Sequence, residues 1–228
     1  MIAKEAMPSS PTNTQALVPY DDNQTPLKRF SAREKSVTIG SFVLHLHQNW
    51  NENGVAGVLW DSAIVLSNYL VAHTELVRGR RVLELGAGIG LPSIMAAKLS
   101  AKEVTATDQP SALSLLEENL IANLDDSEMS TVTTLPLDWT NLPKEPLPAD
   151  VILGADLVYK KEVFEALRNV IRLLITGDNV MLLAGKIRYP KDKRFYDTLG
   201  NDFDVTQILY DEAADVVLFK ISKSRREL

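Results

Sequence analysis

The chain has 228 residues, with 24 Lys and Arg against 30 Asp and Glu, 45% hydrophobic residues and no cysteine. The lack of cysteine excludes disulfides, thiolate metal sites and cysteine nucleophiles, and no apolar run approaches the roughly 20 residues of a membrane span. A net charge of −6 argues against broad phosphate-backbone binding, which needs a basic face, so neither nucleic acid nor membrane is expected as a partner.

Residues 1–15 are polar, rich in Pro and Ser, and lack the apolar core of a signal peptide. They predict a disordered extension, and a monomer working in the cytosol is expected. Residues 16–228 have the length of one domain. That domain opens on Ala16-Leu-Val-Pro-Tyr20 and a polar linker to about Lys35. Residues 37–48 alternate around Gly40-Ser41, which predicts a β-hairpin. His45 and His47 fall on one face of its second strand and could pair on a metal. Exposed polar positions are the plainer reading, because no third ligand stands nearby. Residues 49–54 read as a loop. From Trp60, the positions Ala63, Ile64, Ser67, Leu70 and Val71 fit one face of a helix, with Asp61 in its first turn.

A short apolar run, Val82–Leu85, then breaks at Gly86, Gly88 and Gly90, and helical spacing follows from Leu91 to Leu99. This is a strand, a tight turn and a helix start, the arrangement that brings backbone N–H groups close to a ligand. Residues 103–108 predict a second strand ending in Asp108. A helix with Pro110 at its start follows, its buried stripe predicted at Leu113, Leu116, Leu120 and Ile121. Residues 131–137 predict a third strand, followed by Asp138-Trp139 and a proline-rich loop at 142–148. Residues 150–156 predict a fourth strand, again ending in an acid, with Tyr159 three residues on. Val163 to Leu174 carries a helical stripe, and 180–184 reads as a strand covered on both faces. The segment 186–194 is locally basic and reads either as a contact for an acidic protein surface or as a solvated loop. Strands alternating with helices imply a parallel sheet with helices on both sides. The runs 205–210 and 216–221 are joined by only five residues, so they pair antiparallel.

The spacing G-x-G-x-G is one residue shorter than the dinucleotide signature G-x-G-x-x-G. The longer spacing aims a helix N-terminus at a pyrophosphate, and the shorter one suits a cofactor without phosphates. Glu84 would set a negative charge beside the turn, poor company for a pyrophosphate and good company for a cation. Asp108, twenty residues after Gly88, is placed to hold the two ribose hydroxyls of an adenosine.

Glu84-Leu-Gly-Ala-Gly-Ile-Gly90 with Asp108 resembles motif I and its following acid in the seven-β-strand S-adenosylmethionine methyltransferases. Gly154-Ala-Asp-Leu-Val-Tyr159 resembles the D-x-x-Y motif of the family-sixteen protein methyltransferases, which mostly modify lysine. Ala16-Leu-Val-Pro-Tyr20, Val58-Leu-Trp-Asp61 with Ala63-Ile-Val-Leu-Ser67, and Lys186-Ile-Arg-Tyr189 are similar to the methyltransferase-like twenty-one group, and within it to the branch acting on heat-shock chaperones. The resemblance implies a class I, Rossmann-like doubly wound α/β sheet of seven strands with an antiparallel C-terminal hairpin. It also implies S-adenosyl-L-methionine as cofactor, no metal, and a protein lysine, most of all on a chaperone, as substrate.

Residue by residue, it implies that Gly86, Ala87 and Gly88 line the methionine part of the cofactor, with Glu84 near its ammonium. Asp108 would hold the ribose, Trp139 would pack on the adenine, Ala155 would lie beneath the cofactor, and Trp60 would approach from the helix start. A core role is the alternative for both tryptophans, since either setting has the same sequence signature. Asp156 and Tyr159 would face the target amine as the catalytic pair, with a helix cap the plainer alternative for Asp156. Three other readings remain open: methylation of another protein such as a translation factor or an ATPase, a non-catalytic chaperone binder, and an NAD-dependent oxidoreductase. The glycine spacing opposes the last of these.

Overall fold

The computed structural model describes residues 31–224. The predicted disordered extension and the Ala16–Tyr20 stretch lie outside the described residues. The first strands, β1 (Glu34–Ile39) and β2 (Phe42–His47), form the predicted hairpin, with Gly40 in the left-handed region at φ 57°. Pairing starts earlier than the apolar pattern suggests, with Glu34 opposite His47. The outer end of a two-stranded edge faces water, so it needs no apolar residues to pair. His45 and His47 share the outer side of β2. His45 lies 3.1 Å from the Ser36 hydroxyl and His47 lies 3.3 Å from Glu118. Among the described residues, no group of three His, Asp or Glu converges as a metal set.

The second sheet contains β3 (Arg81–Leu85), β4 (Glu103–Asp108), β5 (Val132–Pro136), β6 (Val151–Ala155), β7 (Val180–Gly185), β8 (Phe203–Asp211) and β9 (Val216–Lys223), in the spatial order β5-β4-β3-β6-β7-β9-β8. The first five run parallel, while β9 inserts antiparallel between β7 and β8. The chain winds outward from β3 to β5, then returns to the other side of β3 through β6. This reversal leaves an opening beyond the carboxyl ends of β3 and β6, because the connections leave these two strands in opposite directions.

Alternate residues of the strands feed two cores, as the two-residue period requires. Val82, Val104, Leu153 and Leu182 pack with helices α1 (Asp61–Ala72), α2 (Leu91–Lys98) and α3 (Leu113–Asn123). Leu83, Ile152, Met181 and Leu183 pack with α4 (Phe164–Leu174) and α5 (Pro190–Leu199).

Four details depart from the sequence reading. Residues 49–54 are not an open loop: Trp50–Asn53 is a helical turn whose first amides are capped by Asn49, and a 3-10 turn, Gly54–Gly57, follows. Trp60 caps α1 from outside it, and the helix proper begins at Asp61. Ile121 is 69% exposed, not part of the buried stripe. Asn119 takes the inward position on α3. Its side-chain oxygen accepts the His47 amide at 2.7 Å and its nitrogen donates to the His47 carbonyl at 3.1 Å, which satisfies the hairpin's free edge. Finally, the basic segment is a loop only over residues 186–189, because α5 starts at Pro190 and Asp192 accepts the amides of Arg188 and Tyr189.

These positions give opposite expectations for neighbouring residues. Asn119→Ala leaves both backbone groups of His47 without that partner and should lower stability by about 1–3 kcal/mol. Ile121→Ala should stay within about 0.5 kcal/mol of wild type. Urea denaturation of the two variants checks the contrast.

Candidate active site

The opening at the sheet reversal is a cavity of about 350 Å³. Its wall brings together the residues that the resemblance assigns to cofactor and catalysis: Trp60, Glu84, Gly86, Ala87, Gly88, Asp108, Trp139, Ala155, Asp156 and Tyr159. The floor is the turn after β3. Gly86, Gly88 and Gly90 all have positive φ, at 59°, 56° and 83°. A Cβ on Gly88 would lie 3.1 Å from the Ala56 carbonyl oxygen, so both conformation and space require glycine there.

Asp108 secures this turn from the neighbouring strand. One carboxylate oxygen accepts the Gly88 amide at 2.7 Å and the other accepts the Gln109 amide at 2.7 Å. Burial pushes its carboxyl up and the two amides pull it back, the burial effect being the larger. Each oxygen keeps a second lone pair toward the cavity.

Glu84 differs from expectation. It is fully buried, and burial pushes its carboxyl up to about 8, so at neutral pH the free protein holds it mainly protonated instead of as the predicted negative charge. The Ser93 hydroxyl of α2 donates to one of its oxygens, while the other, Oε1, is buried with no protein partner. A buried carboxyl oxygen beside a cavity and lacking a protein partner can meet a polar group of a ligand.

The tryptophans line the cavity instead of belonging wholly to the core. Trp139 is half-buried, and a Cβ on Gly86 would lie 3.4 Å from its ring. The Trp60 indole is fixed by donating to the Val55 carbonyl at 2.8 Å.

Asp156 follows β6 in the left-handed region at φ 58°, rare for a residue with a side chain, and its amide donates to Ala184 in β7 at 2.8 Å. Its carboxylate caps no helix. Both oxygens are taken by the Arg188 guanidinium, at 2.9 and 2.7 Å. Tyr159 is 40% exposed at the cavity mouth. Burial, with Asp108 and Asp156 nearby, holds its hydroxyl above the ordinary value.

Arg188 is the site residue that sequence reasoning missed. It stands in the basic run, and composition cannot tell a guanidinium folded onto an acid from one in solvent. The available signal was Asp192, at the third position of a helix begun by Pro190, which marks a folded turn at that end of the run.

A seven-stranded sheet with β9 reversed, a glycine turn at the sheet reversal and an acid ending the next strand define the S-adenosylmethionine-dependent methyltransferase fold. Solved structures agree on the fold. A Thermus thermophilus 16S rRNA methyltransferase bound to S-adenosylmethionine and guanosine aligns over 84% of this chain and 50% of its own, with TM-score 0.59 and 20% identity. A Synechocystis magnesium protoporphyrin IX methyltransferase holding S-adenosylhomocysteine aligns over 72% and 83%, with TM-score 0.55 and 16% identity.

Residues 40–202 match the lysine methyltransferase family model, and the chain belongs to that family. It is 39% identical to protein N-lysine methyltransferase METTL21A of Danio rerio, over 92% of this chain and 97% of the relative. It is 32% identical to EEF1A lysine methyltransferase 3 of Mus musculus, over 78% and 77%. The chain is an S-adenosylmethionine-dependent protein-lysine methyltransferase.

Glu84 imposes a pH dependence on stability. In the folded chain it keeps its proton up to about pH 8, whereas the unfolded chain releases it near 4.5, so the folded state binds more protons between those values. Stability from this group is therefore full below about 4.5 and is lost as pH rises toward 8. Urea unfolding at pH 5.5 and 8.5 should show Glu84→Gln losing less stability than wild type across the interval, by about 1 kcal/mol or more.

Proposed function

We propose that the cavity binds S-adenosylmethionine through the turn and that Asp156 and Tyr159 present a lysine of a heat-shock chaperone to it. The carrying observation is the placing of the D-x-x-Y acid and tyrosine on the same cavity wall as the glycine turn. Gly86, Ala87 and Gly88 leave the backbone open to close approach. The spare lone pairs of Asp108 suit two ribose hydroxyls, and Trp139 and Trp60 supply apolar faces for an adenine and its flank. The orphaned Glu84 Oε1 suits the cofactor's ammonium, which would favour the ionised carboxylate and release its proton. When bound, the cofactor supplies an electrophilic methyl group on a sulfonium.

The chain's own part is to select and orient the amine. A free lysine holds its proton up to about pH 10.4, and only the neutral form has the lone pair that attacks. The proton leaves before transfer, and positive charge then grows on the nitrogen. The Asp156 carboxylate and the Tyr159 ring sit where that charge develops and favour it electrostatically. Much of the acceleration then comes from holding two reactants in line. Asp156 orients the amine as an acceptor; an ordinary carboxylate is too weak a base to take a proton from an ammonium.

The chaperone as substrate is supported by the Val58–Asp61 and Lys186–Tyr189 stretches together with the METTL21A relatives. A translation factor is the second reading, favoured by the 32% identity to the EEF1A enzyme.

Tritiated S-adenosylmethionine with a purified seventy-kilodalton chaperone should label one lysine, and Asp156→Ala should slow labelling at least roughly 100-fold. Label on the elongation factor and none on any chaperone would move the assignment to the second reading. Gly88→Ala should weaken S-adenosylhomocysteine binding at least about tenfold by calorimetry, because the added methyl crowds Ala56. Wild-type binding below pH 8 should release close to one proton, seen as a buffer-dependent binding heat, and Glu84→Gln should abolish that release.

A further inference from the structure

Arg188 holds both oxygens of the acid assigned to face the target amine. Its own position is fixed at three points. The guanidinium forks onto Asp156, its carbon lies 6.0 Å from the Trp60 ring centroid, and its backbone amide donates to Asp192, which is 1% exposed. The Asp156 side chain is 6% exposed and that of Arg188 31%, so the pair forms part of the cavity wall and is not a surface bridge.

A lone buried carboxylate beside an amine favours the protonated amine and so opposes the step that must precede attack. A guanidinium on that carboxylate cancels most of its charge, because it stays protonated at any pH the enzyme meets. The carboxylate still has lone pairs to orient an N–H group.

We propose that Arg188 is a positioning residue for the methyl transfer: paired with Asp156, it keeps the acceptor site near neutral overall, so that the target lysine gives up its proton there while Asp156 still orients it. The inference rests on the assignment of Asp156 to the amine. The other titratable groups facing the pair are Tyr159 at the mouth, Asp192 and Tyr196 on α5, and Asp108 at the end of β4. Glu84 and Asp138 lie further along the same wall. Lys186, two residues before Arg188, is neutralised by Asp61 at 2.9 Å and cannot take over the role.

The test is the pH profile of kcat on the methylated protein, for wild type, Arg188→Gln and Arg188→Lys. Loss of the charge should move the acidic limb of Arg188→Gln upward by about one to two pH units, with roughly tenfold or greater loss at pH 7.5 and recovery toward the wild-type plateau at high pH. Arg188→Lys keeps the charge without the fork and should return the limb most of the way. A second readout needs no turnover. Slowly rotating guanidinium N–H resonances of Arg188 should persist in wild type when S-adenosylhomocysteine and the protein substrate are both added.

A limb that stays in place while kcat falls would reduce Arg188 to a structural brace and overturn the inference. Collapse of those resonances on adding substrate, with a lower KM in Arg188→Gln, would overturn it too, because Arg188 would then be a plug that the lysine displaces. If Asp156→Asn methylates its protein substrate as fast as wild type, the assignment of Asp156 fails instead, whatever Arg188 does.

Discussion

The Asp108 carboxylate accepting the Gly88 amide is the interaction on which the site depends. It joins the end of β4 to the turn after β3, the two strands that flank one side of the opening. A buried carboxylate is costly without donors, and the turn is high in conformational freedom without an anchor. Each resolves the other's problem. The same carboxylate then has lone pairs left for a ligand, so the group that shapes the cavity floor also faces what enters.

The second organising feature is how the acids of the cavity and the basic run after β7 consume each other. Asp61 takes Lys186, Asp156 takes Arg188, and Asp192 ties down the backbone amides of Arg188 and Tyr189. These contacts draw the segment after β7 across the mouth of the opening, next to α1 and the loop after β6. Of the five basic side chains in residues 186–194, Lys186 and Arg188 are thereby paired at the site. Tyr159 at the site and Ile187 and Tyr189 beside Arg188 are open to solvent.

Surroundings separate three of the four acids that line the cavity: Glu84, Asp108 and Asp156. Glu84 is fully buried with Ser93 as its donor residue, and burial raises its carboxyl to about 8. Asp108 is also raised by burial, against two backbone donors that lower it. Asp156 has a guanidinium on both oxygens. Three carboxyl groups in one cavity therefore meet different partners, and burial is the main reason that the Glu84 and Asp108 carboxyls are raised.

Much of this was legible in the residues. Apolar runs of period two, helical stripes and glycine spacing marked the strands and the chemistry of the turn, because those signals are local and set by backbone geometry. The short link between β8 and β9 likewise determined their antiparallel pairing. Only the tertiary structure decided that Asn119, not Ile121, faces inward, because that choice depends on a hairpin edge more than seventy residues away in the chain. It also decided that Arg188 belongs to Asp156 and that Glu84 holds a proton. Both outcomes follow from distance and desolvation between segments far apart in sequence, and neither leaves a local pattern to read.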